Sequence, residues 1–503
     1  MRRRVRSVGL SGLFVMGLVS TSAFGQQPAD DDVDPDARHP SEDSKEAPKP
    51  AAVAPVAAAP VAAPVPAPEA EAPTAKPKLG DTSTSGYFRG GFGGSNQGGR
   101  MTCFQLALAG GLLSKYRLGN ECEVWAEFQL TTVVYAGADG SVAHVHFMPT
   151  AFIPTTYIGY PSTGVTSSDQ GSPGTGATVA FPVLYVDIQG IPWLAGGTAW
   201  AGTRYYKRES VYISDFFYWN PSGVGAGIED INLGKDLRLS YAAFAVDGQP
   251  TGTPQLPQRY DFGVRNDLQL RGIKPYPSGE FQVGFQYIAD LSSSKNDIDG
   301  SPRKADGSSQ THGGWGVTVQ HVQKLLGGDN KLAFQYGKGG GTGFGTLSRF
   351  YAPDFSLYND PAESRLRLVD VLTIQPTDWF GAQAAFVYQH DDLGNTGGKT
   401  NWYSTGTRVG LAFTEHAKLL GEAGYDSVKK SNGADRQWLA KFTIAPAITG
   451  GKGFMTRPEL RLFGTYAMWD DSARGANIDS GSLYRNTNKL SGITYGLQGE
   501  TWW

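Results

Sequence analysis

From about residue 85 to the last residue, polar and apolar side chains alternate with a period of two. In EVWAEFQL (123–130), Glu123, Trp125, Glu127 and Gln129 share one face, while Val124, Ala126, Phe128 and Leu130 share the other. ELRLFGTY (459–466) sets Glu459, Arg461 and Phe463 against Leu460 and Leu462. The terminal ITYGLQGETWW sets Ile493, Tyr495, Leu497 and Trp503 against Thr494, Gln498, Glu500 and Trp502. A strand turns successive side chains to opposite faces, so each segment has one apolar face and one polar, often charged, face. The links between such segments also alternate. Short ones fall near 137–139, 190–196, 233–236, 275–279, 326–331, 375–379, 414–418 and 448–456. Longer ones fall near 94–112, 158–177, 208–225, 247–258, 289–313, 339–364, 391–401, 427–435 and 470–490. Short–long alternation is expected when every strand crosses between two different sides. Lipid imposes that form, because it tolerates neither an open sheet edge nor an unsatisfied backbone group. The pattern predicts an all-β, antiparallel transmembrane barrel of about 18 strands, an even number within the porin range. Both ends of the barrel chain then lie on the short-turn side, and Trp503 falls in an interfacial aromatic girdle. A barrel that wide encloses water, so a pore is its default function.

The residues before the barrel read as an address and a tether. Arg2, Arg3, Arg4 and Arg6 precede GLSGLFVMGLVSTSAFG, a short apolar stretch with a small-residue end. This is the pattern of a secretory signal peptide over 1–25. Its removal takes the formal net charge from −3 to −7, which argues against a nucleic-acid partner. Past residue 25 no run of 18 or more apolar residues unbroken by proline remains, so no membrane-spanning helix is available. Residues 26–83 form a linker, first acidic, then the Pro/Ala-rich KEAPKPAAVAPVAAAPVAAPVPAPEAEAPTAKPK (46–78). Proline lacks the backbone donor a helix needs, so this stretch should stay extended and solvated, a spacer of roughly 100 Å. An inert linker is the plain reading; an arm over 28–78 that touches peptidoglycan is the sharper one. In an oxidising compartment Cys103 and Cys122 could close a disulfide loop of about 20 residues.

Parity says what faces the lumen. In SGYFRGGF, Tyr87 and Arg89 share one face, while Phe88 and Phe92 take the lipid face. Trp125 keeps company with Glu123 and Glu127, and Trp502 with Gln498 and Glu500. Three large aromatics are thus expected to point into water beside charges. Tyr87 and Trp502 lie on the first and last strands, which closure makes neighbours, and Trp125 lies on the next strand. They could form one strip along the wall. Aromatic faces in water bind the apolar faces of sugar rings, and neighbouring charges exchange hydrogen bonds with hydroxyls.

Longer strings are more specific. KYRLGNECE (115–123), WAGTRYYKR (200–208), DFFYW (215–219) with GAGIEDI (225–231), TRPELRLFGTYAMWD (456–470) and the terminal WW resemble the maltoporin family of maltodextrin-specific outer-membrane porins. The resemblance runs from about 84 to 503. It implies an eighteen-stranded barrel, a homotrimer, a third loop folded inward as a constriction, and an aromatic slide for sugars. By position the slide falls on Tyr87, Trp125 and Trp502, and the polar track on Arg89, Arg117, Glu127, Arg208 and Asp215. The two cysteines match the family's first-loop disulfide. Departures are also visible. The constriction tyrosine falls on Phe217, and its acidic partner on Ser210. The slide tryptophan beside the RP dipeptide falls on Met455, with Phe454 adjacent. Another slide aromatic falls near Asp329. No tryptophan lies within 158–177, where the family reaches into its neighbour.

These readings predict facilitated diffusion of maltodextrin-type oligosaccharides through the outer membrane, without cofactor or energy input. Porins for other sugars, such as sucrose or glycosides, and general porins are the alternatives. An outer-membrane barrel enzyme would need a serine beside a histidine and an orienting third group. His39, His144, His146, His312, His321, His390 and His416 show no such signature. His144 and His146 share a strand face and could pair on a metal, but they read as isolated polar residues of the lumen.

Overall fold

The computed structural model describes residues 77–503 except 109–110, 113, 155–177, 248–261, 291–312, 343–362, 395–397, 432, 475–483 and 485–486. The signal peptide over 1–25, nearly all of the linker over 26–83 and the tryptophan-free link over 158–177 therefore lie outside the described residues. The first strand, Thr82–Ser95, begins two residues before the expected start at 84.

Eighteen strands form one sheet in which each pairs antiparallel with its neighbours in the chain. The first strand pairs both with Glu123–Ala136 and with the last strand, Ser491–Trp502, so the sheet has no edge. At one end the strands are joined by short turns. Lys235 and Asp236 make one of these, both at positive φ, and Leu326 and Gly327 make another. Two residues at positive φ give the twist that a tight hairpin requires. At the other end the links are long, as the alternation predicts. One boundary differs. The first long link, expected near 94–112, runs from the end of the first strand at Ser95 to Glu123. Residues 114–122 leave the wall because their partners lie on the infolded third link and on strands three to five places round the barrel.

The two faces follow parity. Phe88 and Phe92 are 39% and 69% exposed on the outside, while Tyr87 and Arg89 are each 1% exposed on the inside. Ile444, Ile448, Leu460 and Leu462 are exposed on the outer face of neighbouring strands. Apolar groups turned outward around a closed barrel are stable only against lipid. Exposed aromatics ring both ends: Tyr135, Trp193, Tyr276, Trp379 and Trp503 by the turns, and Tyr287, Trp315 and Tyr403 by the long links. The inner face is polar and densely paired, and its largest buried side chains include seven-atom guanidinium stems such as Arg265, Arg365, Arg367 and Arg408.

Candidate functional site: the occluded throat of the barrel

Two links fold into the bore and meet there. The third, between Gly197–Arg204 and Gly223–Gly234, makes a small hairpin of Glu209–Val211 with Phe216–Trp219 around a 3-10 turn, Tyr212–Ser214. This is the inward constriction the resemblance implies. The first link also turns inward. Its Lys115 and Arg117 amides donate to the Ser214 and Ile213 carbonyls (2.8 and 2.9 Å). On wall strands three to five places round the barrel from the first strand, the Leu118 amide donates to Glu422 Oε1 (2.9 Å), Lys441 Nζ donates to the Tyr116 carbonyl (2.8 Å), and the Tyr116 and Ser404 hydroxyls bond at 2.8 Å. Gly406 and Gly424 make room for the Tyr116 ring, since a Cβ on either would lie within 2.3 Å of it. The link's near end is tied by the Cys103–Cys122 disulfide and by Asn120, whose side chain bonds both the amide and the carbonyl of Phe104.

The charges sit where these links touch the wall. Arg89 pairs with Glu123 (2.5 Å), Glu121 (3.4 Å) and Asp215 (3.4 Å). Lys115 pairs with Glu121 and Glu123, and Arg117 with Glu121 (2.5 Å) and Glu500 (3.0 Å). Glu500 is held further by Arg457 (3.0 Å) and Arg461 (3.4 Å). Burial opposes the ionised Glu121, but Arg117, Arg89 and Lys115 outweigh it and hold the carboxyl well below the usual carboxylate range. Glu209 is likewise lowered: burial opposes, and Lys331 and Arg271 prevail. Buried charges are tolerable only when paired in this way.

The aromatics lie beside this network. Register places Tyr87 directly opposite Trp502 and Arg89 opposite both Trp125 and Glu500. The Tyr87 and Trp502 rings stack with centroids 6.4 Å apart and planes at 13°. Trp125 meets Phe152 edge-on at 6.1 Å and donates its Nε1 proton to Glu127 (3.0 Å). The Arg457 guanidinium lies 4.4 Å from the Trp502 centroid, and Tyr212 meets that ring edge-on at 6.2 Å. Arg208 stacks on Tyr205 at 3.4 Å and lies 5.0 Å from the buried Phe217 ring, while the Tyr205 hydroxyl donates to Glu127 (3.3 Å).

The structure thus gathers Tyr87, Trp125, Trp502, Arg89, Arg117 and Asp215 into one region. Glu127, Arg208 and Phe217 join it through Tyr205. Met455 and Trp502 pack, half-buried, against one apolar cluster. Phe454, at the turn end with its amide donating to Gln375 Oε1 (2.7 Å), is a buried member of that same cluster. One expectation needs correction. Tyr87 and Trp125 face inward but not into water; they are 1% and 5% exposed. Arg117 of the first link lies on Tyr87, whose hydroxyl donates to Glu500 (2.8 Å) while accepting from Arg117, and Phe152 packs against Trp125. Trp502, Phe152 and Tyr205 are the partly exposed rings of this group. Sequence reasoning missed Tyr205, Tyr212, Glu121 and Arg457. Tyr205 lies within WAGTRYYKR and Arg457 within TRPELRLFGTYAMWD, but parity assigns no direction to a residue off a strand.

The sequence model of one family, described as LamB porin, matches residues 82–503. Among solved structures, OccAB1 of Acinetobacter baumannii is 11% identical, with 84% of this chain and 97% of that chain covered and a TM-score of 0.44. OpdK of Pseudomonas aeruginosa, crystallised with vanillate, is 10% identical over 84% and 100%, with a TM-score of 0.44. OmpT of Vibrio cholerae, in trimer form, is 6% identical over 85% and 100%, with a TM-score of 0.36.

Proposed function

The chain belongs to the LamB porin family, and on that premise we propose that it conducts maltodextrin-type oligosaccharides by facilitated diffusion. It is a channel of the outer membrane and not an enzyme. The observation that carries the sugar reading is the Tyr87–Trp502 stack paired across the barrel's closing seam, with Arg457 over Trp502 and Arg89 and Arg117 beside Tyr87. Sugar rings have apolar faces and hydroxyl rims, and this wall offers both partners. Trp502, Phe152 and Tyr205 supply the accessible ring surface. Arg208, partly exposed, exchanges hydrogen bonds with passing hydroxyls, and Glu127, Arg457, Tyr87 and Trp125 back the track from beneath. Phe217, Met455 and Asp329, where the family's pattern has a tyrosine and slide aromatics, make the track shorter and the throat less polar. A conducting site must bind well enough to recruit and weakly enough to release. Millimolar dissociation corresponds to about −4 kcal/mol, which a few stacked rings and charged hydrogen bonds supply. The working unit of this reading is a homotrimer with its short turns and N-terminal arm in the periplasm, the arm reaching towards peptidoglycan.

Sugar block of single-channel current tests the proposal. Maltotriose should block with millimolar affinity and more strongly than sucrose. Trp502→Ala and Trp125→Ala should weaken that block while conductance stays equal or rises. Equal, non-saturating flux of both sugars would reduce the protein to a general diffusion pore.

A further inference from the structure

His144 and His146 are not isolated in the lumen. They point inward from Val142–Pro154, and the neighbouring strand Thr178–Ile191 brings Asp187 against both. His144 Nδ1 lies 2.9 Å from Asp187 Oδ1, and His146 Nε2 lies 3.1 Å from Asp187 Oδ2. Their three ligand atoms lie within 4.8 Å of one another. We infer that His144, His146 and Asp187 form a binding site for a divalent transition-metal ion on the inner wall of the barrel.

Two imidazoles and one carboxylate are the donors that Zn2+, Ni2+ and Cu2+ prefer. Ligand atoms each about 2.1 Å from one ion, at tetrahedral or octahedral angles, stand roughly 3.0–3.4 Å from each other. The two nitrogen–oxygen separations here are of that size, so an ion replaces the two hydrogen bonds once the imidazoles turn towards it. The supporting contacts are also those of a ligand set. A neutral imidazole that ligates through one nitrogen carries its proton on the other. On His146 that is Nδ1, and Thr131 Oγ1 stands 3.0 Å away to receive it. Gln189 Nε2 donates to Asp187 Oδ2 (2.9 Å) and fixes the carboxylate. The Tyr185 ring stacks on His146 at 4.2 Å and 3°, which holds the imidazole plane. His146 and Asp187 are buried, while the His144 side chain is 14% exposed, enough for an ion to enter and for water to complete its coordination.

The site is separate from the proposed sugar track. Thr131, opposite His146, is four residues from Glu127, roughly 13 Å along the strand towards the short turns. A bound dication would place fixed positive charge on the wall below the throat.

The test is calorimetric titration of the untagged, detergent-solubilised protein with Ni2+ and Zn2+ after chelator treatment. Saturable one-to-one binding is expected. His146→Gln and Asp187→Asn should weaken it at least tenfold, and His416→Gln, at a turn elsewhere, should not. Heat-modifiable electrophoretic mobility verifies that each variant is folded. A wild type that takes up no ion, or binding that survives in His144→Gln/His146→Gln, overturns the inference.

Discussion

Tyr212, at the tip of the inward third link, donates its hydroxyl proton to Glu500 of the closing strand across 2.8 Å. The two residues are 288 positions apart, and their contact joins the constriction to the seam of the barrel. Three guanidiniums, of Arg117, Arg408 and Arg457, lie within 5.7 Å of the Tyr212 ring centroid. The Tyr212 hydroxyl also accepts from Arg457, the Ile213 amide donates to Gln383 Oε1 (3.0 Å), and the first link's amides bond the next two carbonyls, so the tip is held by hydrogen bonds on several sides and by cations around an aromatic face.

Tyr212→Phe keeps the ring and removes both the hydrogen bond to Glu500 and the one received from Arg457, a loss of about 1–3 kcal/mol. The barrel should fold, and open-channel current noise should rise as the link loosens. Glu500→Ala should be more severe, about 3–5 kcal/mol, because it strands Arg117, Arg457 and Arg461 without their shared partner. Thermal unfolding followed by circular dichroism ranks the two. A Glu500→Ala protein as stable as Tyr212→Phe would contradict this account of the seam.

A side chain at Gly424 or Gly406 should evict the first link from the bore. A Cβ at Gly424 would stand 2.3 Å from the Tyr116 ring, which its own hydroxyl and carbonyl contacts hold in place. Gly424→Val should therefore raise single-channel conductance while the barrel persists, because Gly424 lies on the wall and only the infolded segment must move. Unchanged conductance in a folded protein would show that residues 114–122 do not obstruct the pore.

Acid should loosen both infolded links. Glu121 and Glu209 have their carboxyl values lowered by the cations around them. A lowered value in the fold means stability that is complete above the ordinary carboxylate value, about 4.3, and lost as pH falls towards the folded one. The unfolding temperature should be level from neutral pH to about 5 and fall below about 4. Glu121→Gln should be less stable at neutral pH and show a shallower acid fall. An identical slope in the variant would remove Glu121 from the explanation.

Reduction of Cys103–Cys122 should loosen the first link without opening the barrel. The bond spans 19 positions, and closing a loop of that size is worth about 3 kcal/mol in the chain-entropy model. The reduced protein should keep its β circular dichroism and its folded gel mobility while channel noise increases. Loss of the barrel on reduction would show that the loop, rather than the strands, holds the seam.

Much of this molecule was legible without coordinates. A strand's side chains repeat every two residues, so ordinary reading of SGYFRGGF turns Phe88 and Phe92 outward and Tyr87 and Arg89 inward, as found. Bilayer crossing forces short and long links to alternate, so the strand count followed from punctuation alone. The sequence also carried family strings specific enough to name a class of pore. What tertiary structure decided lies off the strands or far apart in the chain. The link bearing Lys115, Tyr116 and Arg117 folds into the bore because its partners Ser404, Glu422 and Lys441 stand on strands three to five places round the wall. That link's Arg117 covers Tyr87, which parity alone leaves facing water. Asp187 meets His144 43 positions away only because two strands settle in one register. Alternation is local and sets direction at each residue, whereas burial depends on what arrives from the other side, and closure of the cylinder alone determines that.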